Sequence, residues 1–468
     1  MSKTIKALSL LLMIIFVFTA CQASSDETVP EYYSGTYDGT DLDGLEIYWG
    51  WDGFAGLSAR VGESVLGFIP DTANADMALK RIKDVEKELN CSITVNYSAN
   101  TLGELRNGVI TGTQPYDLVT GNSYWMVSDI RGGYYQGLST LLDINNFEKY
   151  GTPNMLQSAL WKNDLYGVIP FAWPDLVYIS SGYVIAVNED IVTALSQPDP
   201  RDFVENNAWN WDQFEECLSA YTYKDGDRQV YGIKSHEQYY IVNMMLSNGV
   251  TFSSYENGQV VAGAYTDAGF VALDRAKNIL QVTHKDCFHP SKTALDPIEL
   301  YRGECVMYVA MTVELWGNSS YIMYQMNNVG ILPFPQGPDA TPGKYMTYHQ
   351  GLFNTTGVPC DAKDAEASAK VISAMYEPFE GFKTKDDIID FMADQIFFDR
   401  RDAEIVANCT RNTEYGFFLE GACALLENIE VSYSPLSQIL ERGEKAYNQI
   451  VEKYMLPHFE GRIAVYGE

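Results

Sequence analysis

The chain has 468 residues and a formal net charge of −30 at pH 7, from 62 acidic and 32 basic residues. A surface this acidic repels phosphate backbones and anionic lipid headgroups, which excludes nucleic acid as a partner and a mode of action flat on a membrane. The chain is too long for one ordinary hydrophobic core, so two lobes or domains are expected.

The first residues have the pattern of an export signal. Two lysines precede an apolar run from Ala7 to Phe18, and small residues lead up to Cys21. A run of about a dozen apolar residues is too short for a membrane-spanning helix, which needs about 20. We therefore expect residues 1–20 to be a signal peptide.

The next segment predicts attachment to a membrane surface. The stretch FTAC, Phe18 to Cys21, resembles the bacterial lipobox, and by that resemblance Cys21 carries the lipid of the mature protein. Acyl chains in pairs anchor a protein stably. Residues 21–44 are rich in Ser, Thr, Asp and Gly and have no apolar period, which indicates a flexible tether. The folded body is thus expected on the extracellular face of the cell membrane.

Strand and helix patterns alternate after the tether. A strand is expected from Leu45 to Trp51, a helix from Asn74 to Asn90, and a buried strand in YDLVTGN, residues 116–122. This alternation implies a parallel sheet, and ligands collect beyond the carboxyl ends of such strands. Those ends carry WGWDG, residues 49–53, and GNSYW, residues 121–125.

The same alternation resumes near Tyr178 and predicts a second α/β lobe. YVIAVNEDIV reads as a strand leading into a helix, and another helix is expected from Asn210 to Thr222. Late helices are predicted at about 362–376 and from Leu436 to Tyr454, the last one ending before Pro457.

Neither the cysteines nor any sequence motif indicates a catalytic or metal-binding function. The chain has eight cysteines, and with Cys21 assigned to lipid the odd number that remains is no disulfide framework, although a bridge between Cys409 and Cys423 stays open. HExxH, GxSxG and Walker sequences are absent, and DGTDLDGLE lacks the end positions of an EF-hand loop. No catalytic residue, metal or cofactor is expected.

A resemblance rests on the order and spacing of several segments. They are ALKRIKDVEKELNCSITVNY, PYDLVTGNSYW, WKNDLYGVIPFAW, NWDQFEECLSAYT, LYRGECVMYVAMTVELWGN and VGILPFPQG. From about Leu45 to about Val371 the chain resembles the family 1 bacterial extracellular solute-binding proteins, the maltose-binding-protein-like receptors of ABC importers. The insertion-like stretch 54–73 and the long run CVMYVAM depart from the family pattern.

The resemblance implies a two-lobed periplasmic-binding-protein fold, also called a Venus flytrap, with parallel-type sheets flanked by helices and with hinge crossings. The first crossing is expected at IPFAWPD, where Pro174 suits a position without a ladder hydrogen bond. A second crossing is expected near residues 348–354. The lobes are expected to divide the chain into 45–172 with about 350–405, and 173–349 with about 406–468.

A sugar site needs flat aromatic platforms beside planar hydrogen-bonding groups. This chain is 13% aromatic, and the strand ends and crossings supply the candidates Trp49, Trp51, Asp52, Asn122, Tyr124, Trp125, Trp173, Asp175, Glu314, Trp316 and Gln350. In the family reading Trp316 is a stacking platform of the second lobe, whereas Trp161, Trp209 and Trp211 are structural.

Each candidate also has a structural interpretation. A Trp is as readily a core residue, and Asp52 or Asp175 caps a helix or forms a turn. Asn122 simply terminates its strand in that interpretation, and His349 is interpreted as a hydrogen-bonded hinge residue.

The sequence as a whole predicts a monomeric, lipid-anchored receptor that captures a carbohydrate and delivers it to the permease subunits of an ABC importer. Because the Trp residues are spread over both lobes, this carbohydrate is expected to be an oligosaccharide. The protein is not expected to be an enzyme. The alternatives are a receptor for a peptide or polyamine and, less favoured, a secreted glycoside hydrolase, since both would also line a cleft with aromatic residues and carboxylates.

Overall fold

The structure is a computed structural model that describes residues 39–52, 64–174, 178, 181–293, 295–316, 322–349, 351–397, 399–416, 429 and 432–467. The predicted signal peptide, Cys21 and most of the predicted tether lie outside these residues. No helix of the described residues combines the length and the apolar composition that crossing a membrane requires.

The strands are numbered in chain order. They are β1 (Leu45–Asp52), β2 (Cys91–Tyr97), β3 (Leu118–Asn122), β4 (Leu160–Trp161), β5 (Asp164–Leu165), β6 (Tyr183–Asn188), β7 (Tyr223–Asp225), β8 (Arg228–Lys234), β9 (Ser253–Glu256), β10 (Gln259–Ala262), β11 (Cys305–Met311), β12 (Val329–Leu332), β13 (Thr347–His349), β14 (Asn354–Gly357) and β15 (Thr413–Tyr415).

The α-helices are numbered in the same way. They are α1 (Ala73–Glu88), α2 (Thr101–Thr111), α3 (Ser123–Arg131), α4 (Phe147–Tyr150), α5 (Glu189–Ala194), α6 (Arg201–Glu205), α7 (Trp211–Tyr221), α8 (Glu237–Leu246), α9 (Asp267–Asn278), α10 (Ile298–Tyr301), α11 (Ile322–Gln325), α12 (Ala365–Met375), α13 (Lys385–Met392), α14 (Arg400–Arg411), α15 (Leu436–Ile450) and α16 (Leu456–Tyr466). Single 3₁₀ turns and three π turns, Ile279–Thr283, Ala393–Phe397 and Val451–Met455, complete the helical elements of the described residues.

The first lobe is built on a four-stranded sheet with the order β14-β3-β1-β2. Strands β1, β2 and β3 are parallel, and β14 is antiparallel to β3. Every residue of β3 is buried, as expected for a strand covered on both faces. Since Asp52 lies opposite Gly121, the carboxyl ends of β1 and β3 meet at one edge of this sheet.

The second lobe is built on a five-stranded sheet with the order β12-β6-β11-β8-β7. Strands β8 and β11 are parallel, whereas β6 is antiparallel to both of its neighbours. This sheet is therefore mixed, while the sequence predicted parallel-type sheets in both lobes. The seven residues of β11 are all buried, and this strand forms the centre of the second core.

Two stretches of chain cross between the sheets. The first leaves the first sheet at Val168, which bridges to Thr356, and enters the second at Tyr183. The second begins at Thr347, whose hydroxyl accepts the N–H of Tyr183 at 2.8 Å. It reaches the first sheet at Asn354. Residues 347–349 also pair with β15, so a short two-stranded sheet lies at the crossings.

The late helices are distributed between the lobes differently from the prediction. The prediction placed residues up to about 405 in the first lobe. Helix α14 packs on the second sheet, because the carboxylate of Asp402 accepts the N–H of Ile331 in β12 at 2.8 Å and binds Arg201 of α6 at 3.0 Å. The prediction also placed residues 406–468 in the second lobe. Helix α16 instead contacts the first lobe, where the N–H of Lys162 donates to the carbonyl of Pro457 at 2.6 Å.

The last helical segment runs without a break from Leu436 to Tyr466, although the sequence predicted an end before Pro457. Proline has no N–H to donate to the preceding turn, and a helix that continues through it needs a local change of hydrogen-bond pattern. The π turn Val451–Met455 supplies this change directly before Pro457.

Candidate ligand-binding site

The tryptophans of β1 are core residues. Trp49 and Trp51 have no exposed surface, their ring centroids are 5.4 Å apart, and the indole N–H of Trp49 donates to the Thr120 hydroxyl at 2.8 Å. Residues two apart on a strand face the same side of the sheet, and here that side is packed. The expectation that both indoles face a cleft is therefore corrected: neither presents a ring face to solvent in this structure.

Asp52 ends β1 at the N-terminus of α2. Its carboxylate accepts the backbone N–H of Leu102, the second residue of that helix. Burial raises the pKa of Asp52 to about 6, against the opposite effects of this hydrogen bond and of the Arg106 charge. Asp52 is half-buried, so one predicted site residue is a carboxyl group at the sheet edge with a raised pKa.

Asn122 ends β3 and caps α3. Its side-chain oxygen accepts the N–H of Tyr124 at 3.1 Å, and its Nδ2 has no hydrogen-bond partner among the described residues. Tyr124 also donates its N–H to the carbonyl of Gly351 at 2.6 Å. Gly351 has φ +76°, and a Cβ there would lie 2.8 Å from the Tyr124 nitrogen, so only glycine lets the second crossing pass this close to the sheet edge.

Trp125 is the predicted platform that is open to solvent. Its side chain is 56% exposed, and its ring packs edge-on against Tyr124 at a centroid distance of 4.3 Å. Tyr124 is half-buried. This aromatic pair follows β3 directly, so it lies at the carboxyl edge of the first sheet, close to the second crossing.

Trp173 anchors the first crossing to the first lobe. Its indole is fully buried, stacks on Phe379 at 4.8 Å and on Phe68 at 5.9 Å, and donates its N–H to the Glu377 carbonyl at 3.2 Å. The expectation that Trp173 forms the floor of a cleft is corrected, because its partners enclose the ring. The neighbouring candidate Asp175 lies outside the described residues.

Glu314 and Trp316 support the far end of β11. The two carboxylate oxygens of Glu314 accept the Tyr308 hydroxyl at 2.7 Å and the Met311 N–H at 2.8 Å. Burial raises the pKa of Glu314 to about 7, against these hydrogen bonds. Trp316 is 3% exposed and packs edge-on against Phe397 at 5.4 Å. In this structure Trp316 therefore does not offer the stacking face that the family reading assigned to it.

His349 is a buried hinge residue. Its Nδ1 accepts the N–H of Gly351 at 3.0 Å, and burial lowers its pKa to about 3, so the ring is neutral at physiological pH. Gln350, the adjacent candidate, lies outside the described residues. The structure thus brings Asn122, Tyr124 and the crossing around His349 together, whereas the indoles of Trp49, Trp51, Trp173 and Trp316 are buried.

The sequence did not reveal an ion pair that joins the lobes at the crossings. The two terminal guanidinium nitrogens of Arg411, at the end of α14, donate to the carboxylate of Glu148 in α4, at 2.8 and 2.7 Å. The same guanidinium lies over the Phe171 ring at 5.1 Å. The two ionic partners are 263 residues apart in sequence, and no local pattern announces such a pair.

The described residues also contain free cysteines and two cavities outside this region. In the described parts of the chain no group of three or more His, Cys, Asp or Glu side chains is placed to hold a metal ion. The cysteines described there are free, and Cys423 lies outside the described residues. Two surface cavities of about 730 and 860 Å³ are lined by second-lobe residues and by none of the predicted site residues.

Comparison with known proteins identifies the family. The bacterial extracellular solute-binding protein family matches residues 78–378, so the chain belongs to this family. The prediction of this family is confirmed. No curated protein matches the chain.

Solved structures share the fold at low sequence identity. A cyclic α-maltosyl-1,6-maltose binding protein from Arthrobacter globiformis has a TM-score of 0.60 at 11% identity, over 87% of this chain and 99% of that chain. A substrate-binding protein from Listeria monocytogenes in complex with cycloalternan has a TM-score of 0.53 at 12% identity, over 88% and 100%. The maltose-maltodextrin binding protein of Alicyclobacillus acidocaldarius has a TM-score of 0.51 at 14% identity, over 87% and 100%. The prediction of a two-lobed α/β solute-binding fold is confirmed.

Proposed function

We propose that this protein is the substrate receptor of an ABC importer. It captures a carbohydrate ligand, specifically an oligosaccharide, between its lobes. The observation that carries the proposal is the exposed indole of Trp125, which lies at the carboxyl edge of the first sheet and beside a crossing, in a chain of the solute-binding family. Structures of the same fold are named for maltodextrins and cyclic oligosaccharides that they bind, which favours sugar as the ligand class.

The first-lobe part of the site consists of Trp125, Tyr124, Asp52 and Asn122 in this proposal. The ring of Trp125 stacks on the apolar face of a pyranose, and the polar side chains bind its hydroxyl edges. The Nδ2 of Asn122 is buried and has no hydrogen-bond partner among the described residues, and in this proposal it donates to a ligand hydroxyl. Asp175 and Gln350 are proposed contacts from the two crossings. The other candidates, Trp49, Trp51, Trp173, Glu314 and Trp316, are buried side chains that stabilise their lobes and do not contact the ligand in this proposal.

The receptor works at the cell surface in this proposal. Residues 1–20 direct export, Cys21 carries the lipid anchor, and the tether up to residue 44 lets the folded body reach the permease subunits. The protein acts as a monomer without metal or cofactor. Closure of the lobes is favoured by a ligand only to the extent that it binds the closed form better.

Catalysis is not part of the proposal. Glu314 precedes the predicted platform Trp316, and both of its carboxylate oxygens accept internal hydrogen bonds. A glycosidase needs a pair of carboxyl groups free to act on the substrate. A peptide or a polyamine remains the alternative ligand class, because carboxylates beside aromatic rings also suit a cation.

A thermal-shift screen of the chain from Gln22 onward tests the proposal. Mono- and oligosaccharides, peptides and polyamines are compared, and every hit is followed by analysis of the recovered ligand. A ligand at one hundred times its Kd adds about 2.7 kcal/mol, which raises Tm by several degrees. We expect a shift with an oligosaccharide that is recovered intact. A shift with peptides or polyamines alone contradicts the sugar assignment, and a cleaved sugar contradicts the receptor assignment.

A further inference from the structure

The last helical segment connects the two lobes outside the strand crossings. Its first half, α15, is held by the second lobe: the hydroxyl of Tyr265 donates to the Leu440 carbonyl at 3.0 Å, and the hydroxyl of Tyr447 donates to the Phe252 carbonyl at 3.1 Å. These tyrosine contacts fix α15 to the elements around β9 and α9.

The second half, α16, is held by the first lobe. Arg462 donates to the side-chain oxygen of Asn154 at 2.7 Å, and Pro457 accepts the N–H of Lys162. A Cβ at Gly461 would lie 2.8 Å from the backbone nitrogen of Trp161. The helix thus rests directly on β4, at a distance that only glycine allows.

Side chains of both lobes enclose the start of α16. His458 packs edge-on against Trp161 at 5.3 Å, and the guanidinium of Arg131 lies over the rings of Trp161 and Tyr454 at 5.0 and 4.6 Å. The next residue, Phe459, stacks on Tyr255 of β9 at 6.0 Å. The point where the segment passes from the second lobe to the first is therefore packed against side chains of both lobes.

The π turn Val451–Met455 lies at this passage. A π turn has a wider hydrogen-bond pattern than the α-helix around it and is common at functional positions. Together with Pro457 it gives the segment one defined place where α15 and α16 can change their mutual direction. A continuous helical segment that is fixed to both lobes and can bend at only this position restricts the movement of one lobe relative to the other.

We propose that the segment Leu436–Tyr466 is an interlobe brace that sets the range of lobe orientations in the ligand-free protein and thereby tunes ligand affinity. The second part of this inference rests on the proposed function, since affinity depends on the fraction of binding-competent conformers. Release of α16 from the first lobe removes the restriction, broadens the distribution of lobe orientations and weakens binding.

The test uses substitutions in α16 at residues that contact the first lobe, a contact that we call the dock. The variants are Gly461→Val, which places a branched side chain against β4, Arg462→Ala, and the double variant. Arg442→Ala is the matched control, because Arg442 lies in α15 and binds Gln438 of its own helix at 3.3 Å. Hydrogen exchange of residues 456–466 reports whether α16 is released, and small-angle X-ray scattering without ligand reports the lobe orientations.

We expect faster exchange in α16 and altered ligand-free scattering for the dock variants, with the control like the wild type. With maltotetraose as the probe, we expect a Kd about fivefold weaker, while the scattering at saturation equals that of the wild type. Unchanged ligand-free scattering in a variant whose α16 exchanges freely overturns the brace. Unchanged protection of α16 in the double variant also overturns it, because the assigned contacts would then not hold the dock. If maltotetraose binds neither the wild type nor any variant, the ligand-free scattering still decides the brace, and the affinity comparison is made with the oligosaccharide found in the screen.

Discussion

Trp125 and Trp173 illustrate two roles that one side chain takes in this molecule. Trp125 is more than half exposed, whereas Trp173 is enclosed by Phe379, Phe68 and their neighbours. The first indole has a face to offer to a ligand, and the second contributes to stability. Substitution of each therefore affects a different measurable quantity.

Trp125→Ala is expected to weaken binding of the oligosaccharide found in the screen by about 2 kcal/mol, since an aromatic anchor is lost. Tm changes little because the side chain is largely exposed. Calorimetric titration measures the effect, and Tyr433→Ala, at an exposed tyrosine of the second lobe, is the control. An unchanged Kd for Trp125→Ala would remove this residue from the site.

Trp173→Ala is expected to lower the free energy of unfolding by about 3–5 kcal/mol, because it leaves a cavity among buried rings and removes the hydrogen bond to Glu377. Urea denaturation followed by circular dichroism measures this change. A variant with wild-type stability and lost ligand affinity would instead assign Trp173 to the ligand.

Glu414 makes stability depend on pH. This carboxyl is fully buried in β15, accepts the N–H of Phe252 at 3.2 Å, and has a pKa that burial raises to about 8. The folded protein therefore keeps the proton that the unfolded chain loses near pH 4.5. Its contribution to stability is fully present below pH 4.5 and is lost as pH rises toward 8.

Glu414→Gln keeps the acceptor and removes the titration. The variant is expected to gain stability relative to the wild type as pH rises from 5 to 8, on the order of 3 kcal/mol at the upper end. Thermal unfolding at several pH values measures the difference, and Glu366→Gln, at an exposed position of α12, is the control. A constant difference between variant and wild type across this range contradicts the assignment.

The buried histidines act in the opposite sense. Burial lowers the pKa values of His349 and His458 to about 3, so both rings stay neutral where the unfolded chain binds protons. Their contribution is present above pH 6.5 and is lost as pH falls toward 3. The contributions of these histidines and of Glu414 therefore change in opposite directions between pH 4.5 and pH 6.5.

At the scale of elements, contacts between distant segments decide where the lobes meet. Glu148 of α4 and Arg411 of α14 form a bidentate pair across the crossings, and the pair is partly exposed, with side-chain exposures of 44% and 23%. Ion pairs at such positions contribute modestly, but the planar fork and the Phe171 ring favour Arg over Lys.

A double-mutant cycle with Glu148→Gln and Arg411→Ala is expected to give a coupling free energy of about 1 kcal/mol in urea unfolding. Arg411→Lys is expected to lose most of this coupling, since Lys keeps the charge without the fork or the ring contact. Zero coupling in the cycle would mean that the pair does not join the lobes energetically.

Local elements followed from the sequence, whereas their assembly did not. The helix expected at 74–90 is observed at Ala73–Glu88, and the one at 210–222 at Trp211–Tyr221, because apolar spacing and capping residues are local signals. The continuation through Pro457 and the docking of α16 depend on contacts with residues about 300 positions earlier. Periodicity carries no information about such partners.

The candidate site was predictable to a similar extent. Strand ends located Asp52, Asn122 and Trp125 at one edge of the first sheet, since parallel topology follows from alternation. Whether an indole is enclosed depends on partners remote in sequence, as Phe379 is for Trp173. The sequence therefore predicted which residues share this sheet edge better than it separated exposed indoles from buried ones.

At the scale of the whole molecule, two α/β lobes joined by strand crossings and by the last helical segment form a receptor of the solute-binding family. We propose that it holds an intact oligosaccharide at the edge that carries Trp125. Calorimetric titration with maltooligosaccharides of increasing length, followed by chromatography of the recovered sugar, tests this proposal. We expect saturable one-to-one binding and unchanged sugar. A heat of binding with peptides or polyamines, and none with any oligosaccharide, would contradict this proposal.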